Sequence, residues 1–193
     1  KKIFDIVNNN GGIAILTQKS HPSGSDRIYE VYLKKLKNNV DLIINLQGDM
    51  PNIDPNTISK LEKLMRDNQC DIGTLASPIK DNNEIVDENV VKVKVDETLK
   101  EHSFLKAKDF FRKKKDLNND KVYHHLGLYI FTNDALTRYV KLKRSKLEIE
   151  RNLEQMRAME NNMLVKVGLT HSMPLSVDTE EDLRKVKKEM EKL

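Results

Sequence analysis

The sequence has a single cysteine, Cys70, and no tryptophan in 193 residues. A lone thiol excludes both a disulfide framework and a Cys-rich zinc site. No run approaches the roughly 20 apolar residues a helix needs to cross a bilayer. The opening Lys1-Lys2-Ile3-Phe4-Asp5-Ile6-Val7 also lacks the apolar core of a signal peptide. These absences fit a reducing cytoplasm, which is the expected location, and predict no membrane partner. A block of one charge sign is equally scarce, since 34 Lys and Arg are interleaved with 30 Asp and Glu for a net +4. The one dense basic run, Arg112-Lys113-Lys114-Lys115, has only Phe110-Phe111 beside it for stacking. A solvated loop face is therefore expected there rather than a nucleic-acid surface. What is present is a globular composition, 38% hydrophobic and 33% charged, in a chain long enough for one domain with a substantial core.

Two periodicities alternate along the chain. Ile13-Ala14-Ile15-Leu16-Thr17 predicts a short buried strand, and apolar residues at Ile28, Val31, Tyr32 and Leu36 predict a helix over 26–36. Leu42-Ile43-Ile44-Asn45-Leu46 is a second strand, closed by Gly48 and Pro51. Ile58, Leu61, Leu64 and Met65 mark a helix behind Pro55, and Ile72-Gly73-Thr74-Leu75-Ala76 a third strand. Val90-Val91-Lys92-Val93-Lys94-Val95 alternates with period two, as a strand with one wet face does, and residues 101–105 are its expected partner. The Lys- and Asn-rich residues 106–121 predict an excursion or hairpin outside the core, within an irregular region of about 96–121. A strand over 126–131, helices over 134–140 and 147–159, a strand over 163–169 and a charged helix over 179–193 follow. This alternation predicts an α/β class: a three-layer α/β/α domain spanning residues 1–193 with a mainly parallel sheet. Phe4, Ile6 and Val7 look like the tail of a helix begun upstream, so the first βα unit is expected to be missing.

Three clusters join special backbone residues to polar ones at strand ends, where open α/β sheets bind ligands. In His21-Pro22-Ser23-Gly24-Ser25-Asp26-Arg27, Gly24 permits close backbone approach, while Ser23 and Ser25 can cap a helix or donate to a sugar or base. In Asn45-Leu46-Gln47-Gly48-Asp49-Met50-Pro51, Asp49 leaves a buried strand beside a glycine. A carboxylate there can hold Mg²⁺ against a phosphate, and a plain Gly-Asp turn is the alternative. In Ser176-Val177-Asp178-Thr179-Glu180-Glu181-Asp182, Thr179 and Asp182 form a capping-box pattern that leaves Asp178 without a task. Asp178 is thus a candidate second metal ligand.

Ser23-Gly24-Ser25-Asp26-Arg27, Gln47-Gly48-Asp49-x-Pro51, His125-Leu126-Gly127-Leu128-Tyr129, Leu153-Glu154-Gln155-Met156-Arg157 and Val177-Asp178-Thr179-x-Glu181-Asp182-Leu183 occur in that order. Together they resemble the 3-deoxy-manno-octulosonate (Kdo) cytidylyltransferase family, the CMP-Kdo synthetases, over nearly the whole chain. The resemblance implies a nucleotide-diphospho-sugar transferase fold, a homodimer, and the reaction CTP + Kdo → CMP-Kdo + pyrophosphate, which serves lipopolysaccharide synthesis. It implies that Ser23, Gly24, Ser25 and Arg27 lie against the cytidine and that Gln47 positions nucleotide or sugar. Asp49 and Asp178 would hold Mg²⁺ at the α-phosphate as catalytic ligands. His125, Tyr129, Glu154 and Gln155 would line the sugar pocket, His125 as a neutral donor, with Arg157 supporting it.

The sequence also departs from the family pattern. The strand and basic Gly- and Pro-containing loop that grip the triphosphate are absent, so an upstream segment or a separate chain is expected to supply them. Met50 stands where an acidic residue is usual, Phe104-Leu105-Lys106 where the family has Phe-Ser-Arg, and Ile149 where it has His. Lys for Arg is not conservative at a bidentate contact. Two alternatives stay open: a truncated, catalytically inactive remnant or binding module, and a cytidylyltransferase for another acidic sugar such as sialic acid.

Overall fold

In the computed structural model, which describes residues 2–113, 121–177 and 179–191, the chain forms two units, Lys1–Asp41 and Leu42–Leu193. The first unit opens on helix α1 (Lys2–Asn9). Gly11, at φ 80°, turns the chain so that the N–H groups of Gly11 and Gly12 reach back to the carbonyls of Asn8 and Val7 at 3.2 and 2.9 Å. That left-handed stop is one that glycine adopts without steric cost. The strand expected over 13–17 does not form: the segment is irregular, with Ile13 and Leu16 exposed. Apolar β-formers make a strand only when a neighbour completes the hydrogen-bond ladder, and no such ladder forms here among the described residues. The expected helix over 26–36 does form, as α2 (Gly24–Val31) continuing into a single π-helical turn over Tyr32–Leu36.

The second unit is built on a seven-stranded sheet. Its elements in chain order are β1 (Leu42–Asn45), α3 (Pro55–Asp67), β2 (Ile72–Pro78), α4 (Asn82–Val86), β3 (Lys92–Val95), β4 (Phe104–Lys106) and β5 (Asp109–Phe111). They continue with β6 (Lys121–Thr132), α5 (Asn133–Tyr139), α6 (Lys146–Arg151), α7 (Gln155–Glu160), β7 (Val165–Leu169) and α8 (Glu180–Met190). The strands are ordered β4-β7-β2-β6-β3-β5, with β1 also on β6.

The α/β class holds, but the mainly parallel sheet is corrected, because β2–β7 is the only parallel pairing among the described strands. The 12-residue β6 runs antiparallel to β1, β2 and β3. Strand–helix alternation fixes the common direction of strands joined by crossovers, here β1, β2 and β7. It carries no information about a long strand that returns from a meander and inserts between them. In that meander β3 pairs with β5, whereas β4 joins β7, so residues 101–105 do not pair with β3 as expected. Nor is the stretch after 106 all outside the core: Phe110 and Phe111 of β5 are buried. Lys114 and Lys115, with the rest of 114–120, lie outside the described residues.

Burial follows the two faces of β6. Leu126, Leu128 and Ile130 pack on α3 through Leu61, Leu64 and Met65, joined by Leu75, Phe104 and Met50. Two glycines let the helix approach the sheet this closely. A methyl group on Gly73 would stand 2.7 Å from the Met65 sulfur, and one on Gly168 would stand 2.5 Å from a Leu64 methyl. The opposite face of β6 carries an aromatic row: His125, Tyr129 and Phe131, extended by Phe110 and Tyr139. β3 has no wet face at Lys92, which is fully buried and donates its ammonium to the carbonyls of Asp87 and Val90 at 2.6 and 2.8 Å. Burial lowers the pKa of that amine. The single helix expected over 147–159 is instead α6 and α7, broken where Asn152 takes a left-handed φ of 52°.

Candidate active site

In the first unit, Ser23 caps α2: its hydroxyl accepts from the Asp26 N–H at 3.3 Å and donates to the Asp26 carboxylate at 2.6 Å. Gly24 is the first helical residue, and Ser25 is buried in the first turn. Arg27 is exposed and donates to the Thr17 hydroxyl and, at 3.0 Å, to the Gln18 carbonyl. Those bonds brace the loop before the helix. The same loop is tied by Glu30, which receives His21, Lys34 and the Gln18 N–H; these contacts hold its carboxyl down at about 2.

In the second unit, the residues after β1 emerge at the carboxyl end of that strand, and the Gly48-Asp49 turn leaves the Asp49 side chain in solvent. The turn is anchored to the segment before α8: the Ser176 hydroxyl donates to the Asp49 carboxylate at 3.3 Å, and the Val177 N–H donates to the Asp49 carbonyl at 2.9 Å. A further tie runs from the Leu175 N–H to the Asn52 side chain at 3.1 Å. Two distant motifs thus meet, and Asp49 faces the segment that leads to Asp178, although Asp178 itself lies outside the described residues. Thr179 and Asp182 form the expected capping box. Met50, next to Asp49, turns the other way into the core.

Gln47 donates to the Asn45 side chain at 3.1 Å. Asn45 sits opposite Tyr129 across the β1–β6 ladder, and directly opposed residues of an antiparallel pair share a face. That is the aromatic face, on which His125 and Tyr129 rings lie 5.4 Å apart. Their strand is kinked at its centre, since Thr74 faces Tyr129 while Leu75 faces Leu126. The Thr74 hydroxyl fills the irregularity, 2.7 Å from the Leu128 carbonyl and 3.1 Å from that of Leu126. Its one proton goes to those carbonyls, so at 2.9 Å from His125 Nε2 it is the acceptor. The Nε2–H tautomer of His125 satisfies this arrangement and leaves Nδ1 as an acceptor. Burial, with His124 beside it, depresses its pKa to about 3, so the ring is neutral throughout the physiological range.

Glu154 starts α7 without using its side chain as a cap. Burial first, then the neighbouring Glu154 carboxylate, raises the Tyr129 phenol well above its ordinary range. Gln155 is buried in the first turn of α7. Arg157 is engaged elsewhere, in a two-bond fork on Glu148 (Nε–Oε2 2.9 Å, Nη2–Oε1 2.6 Å) with both side chains buried. A cleft of about 600 Å³ opens beyond the carboxyl end of β2, bordered by Ser77, Pro78, His124, Ser176 and Asp182.

The structure therefore gathers His125 and Tyr129 on the Asn45–Gln47 face and joins Asp49 to the segment before α8, while Ser23, Gly24, Ser25 and Arg27 belong to the other unit. Asn45 and Ser176 belong to the sequence clusters but had no role of their own there, and Thr74 was missed, although a polar residue inside an apolar strand run was the signal for Asn45 and Thr74. Glu148 was legible as the fourth residue of a Ser145-x-x-Glu148 capping box, which the structure contains.

Residues 1–167 match the family model described as Cytidylyltransferase. The 3-deoxy-manno-octulosonate cytidylyltransferase of Brucella anthropi is 41% identical over 95% of this chain and 74% of its own length. That of Brucella ovis is 42% identical over 95% and 73%. A solved CMP:2-keto-3-deoxy-manno-octonic acid synthetase complexed with CTP superposes with a TM-score of 0.87 at 31% identity, over 99% of this chain and 77% of its own. The fold and these likenesses define a nucleotidyltransferase. The chain belongs to the 3-deoxy-manno-octulosonate cytidylyltransferase family.

Proposed function

We propose that the protein couples CTP to Kdo. The sugar's anomeric hydroxyl oxygen bonds to the α-phosphorus, the bond to the bridging oxygen of the β-phosphate breaks, pyrophosphate leaves, and the hydroxyl proton goes to water. One observation carries this reading beyond family membership: the Gln47-Gly48-Asp49 turn is fastened to the segment before α8, beside a face bearing His125 and Tyr129. An acidic group thus stands at a strand end next to hydrogen-bonding groups suited to a polyhydroxy acid.

The roles follow from the chemistry of each group. Gln47, oriented by Asn45, offers an amide to nucleotide or sugar. His125 accepts a sugar hydroxyl at Nδ1, because its Nε2–H is held by Thr74. Glu154 and Gln155 bind sugar hydroxyls. Ser23, Gly24, Ser25 and Arg27 are assigned to the cytidine. Mg²⁺ takes one or two protein oxygens and completes its shell with phosphate and water oxygens. The exposed Asp49 carboxylate fits such a donor set, with Asp178 as the second ligand. When bound, the ion would neutralise charge on the phosphates and acidify the attacking hydroxyl. A homodimer and a cytoplasmic location accompany the reading.

Pyrophosphate release by the protein tests it. Release should require CTP, Kdo and Mg²⁺ together and should not occur with sialic acid in place of Kdo. Release with sialic acid but not Kdo would transfer the assignment to another acidic sugar.

A further inference from the structure

Tyr139, the last residue of α5, is 1% exposed and takes no part in the roles above. Its hydroxyl donates to the Glu154 carbonyl at 2.9 Å. Its ring lies under the Arg157 guanidinium, 4.7 Å from centroid to carbon, and leans on Phe131 at 5.7 Å. The Glu148 carboxylate that holds Arg157 also receives the Ser145 N–H and Arg144, each at 3.1 Å. One buried network therefore links α5, α6 and α7. It bonds the backbone of Glu154, the residue that starts α7.

A buried phenol must find a hydrogen-bond partner, and a phenylalanine would fill the same space without that requirement. The hydroxyl thus adds directional restraint to a site that packing alone would leave looser. We propose that Tyr139 is a positioning residue for sugar recognition: its hydroxyl and its ring, clamped by the Glu148–Arg157 pair, set the start of α7 so that Glu154 and Gln155 meet the substrate in one orientation. This rests on the reading that those two residues contact the sugar. On that account Arg157 acts through Tyr139 and α7 and does not itself touch the sugar.

Tyr139→Phe tests the inference, because it removes the hydroxyl and keeps the ring. KM for Kdo should rise roughly three- to tenfold, the usual worth of one neutral hydrogen bond, with KM for CTP unchanged. Backbone hydrogen exchange over 155–160 should quicken while α3 stays protected. Equal rises in both KM values, or exchange unchanged over 155–160, would overturn the inference. If the wild-type protein releases no pyrophosphate, the substrate reading fails, and the exchange comparison still decides the positioning role.

Discussion

Asp49 and Met50 are neighbours in sequence with opposite fates. Asp49 is exposed at a strand end, whereas Met50 is buried among Leu61, Leu64 and Leu126. From sequence alone, Met50 looks like a charge lost beside a metal site. Its side chain in fact contributes to packing, so the substitution leaves the Asp49 carboxylate intact. Asp49→Asn keeps size and polarity but removes the charge. It should lower turnover by roughly 100-fold or more, while the melting temperature in circular dichroism stays within about 2 °C of wild type. At His125 the predicted effect is on stability. The folded-state pKa of about 3 lies below the roughly 6.5 of an unfolded histidine. The neutral ring therefore contributes stability that is complete above pH 6.5 and is lost progressively as pH falls towards 3. Near pH 4.5 the loss should be about 2–3 kcal/mol. Urea midpoints of wild type and His125→Gln should accordingly converge on acidification; parallel curves would contradict the burial argument.

At the scale of elements, the Glu148–Arg157 fork decides how α6 meets α7. Removing one partner of a buried ion pair strands the other charge. Glu148→Gln or Arg157→Met should therefore each cost about 3–5 kcal/mol in denaturant unfolding, whereas replacing both with apolar residues of similar volume should recover most of the loss. Gly168→Ala pushes a methyl into Leu64 and should cost about 1–3 kcal/mol by the same measurement. Elements whose causes are local were legible in the sequence. α3 has Pro55 at its start and a clean apolar stripe, α8 has its capping box, and β1, β2 and β7 are short apolar runs. What escaped depends on distant partners. The 13–17 segment has strand composition but no strand partner among the described residues, β5 buries Phe110 against His125 of β6, and Asn152 breaks a helix that side-chain periodicity alone runs through. Lys92 shows the same limit, since nothing in an alternating Val-Lys pattern reveals that two nearby carbonyls will hold the ammonium indoors.

For the whole molecule, family and class were readable because ordered motifs survive changes elsewhere in the chain. The facing of the site was not, because it depends on β6 inserting antiparallel beside β1 and so bringing Asn45 opposite Tyr129. The chain spans about three quarters of the length of its curated relatives. The most direct measurement is phosphorus NMR of the protein mixed with CTP, Kdo and Mg²⁺. CTP signals should give way to pyrophosphate and a single CMP-sugar phosphodiester, with no change when Kdo is omitted. Unaltered CTP in the complete mixture, from protein shown to be folded, would contradict the proposed coupling.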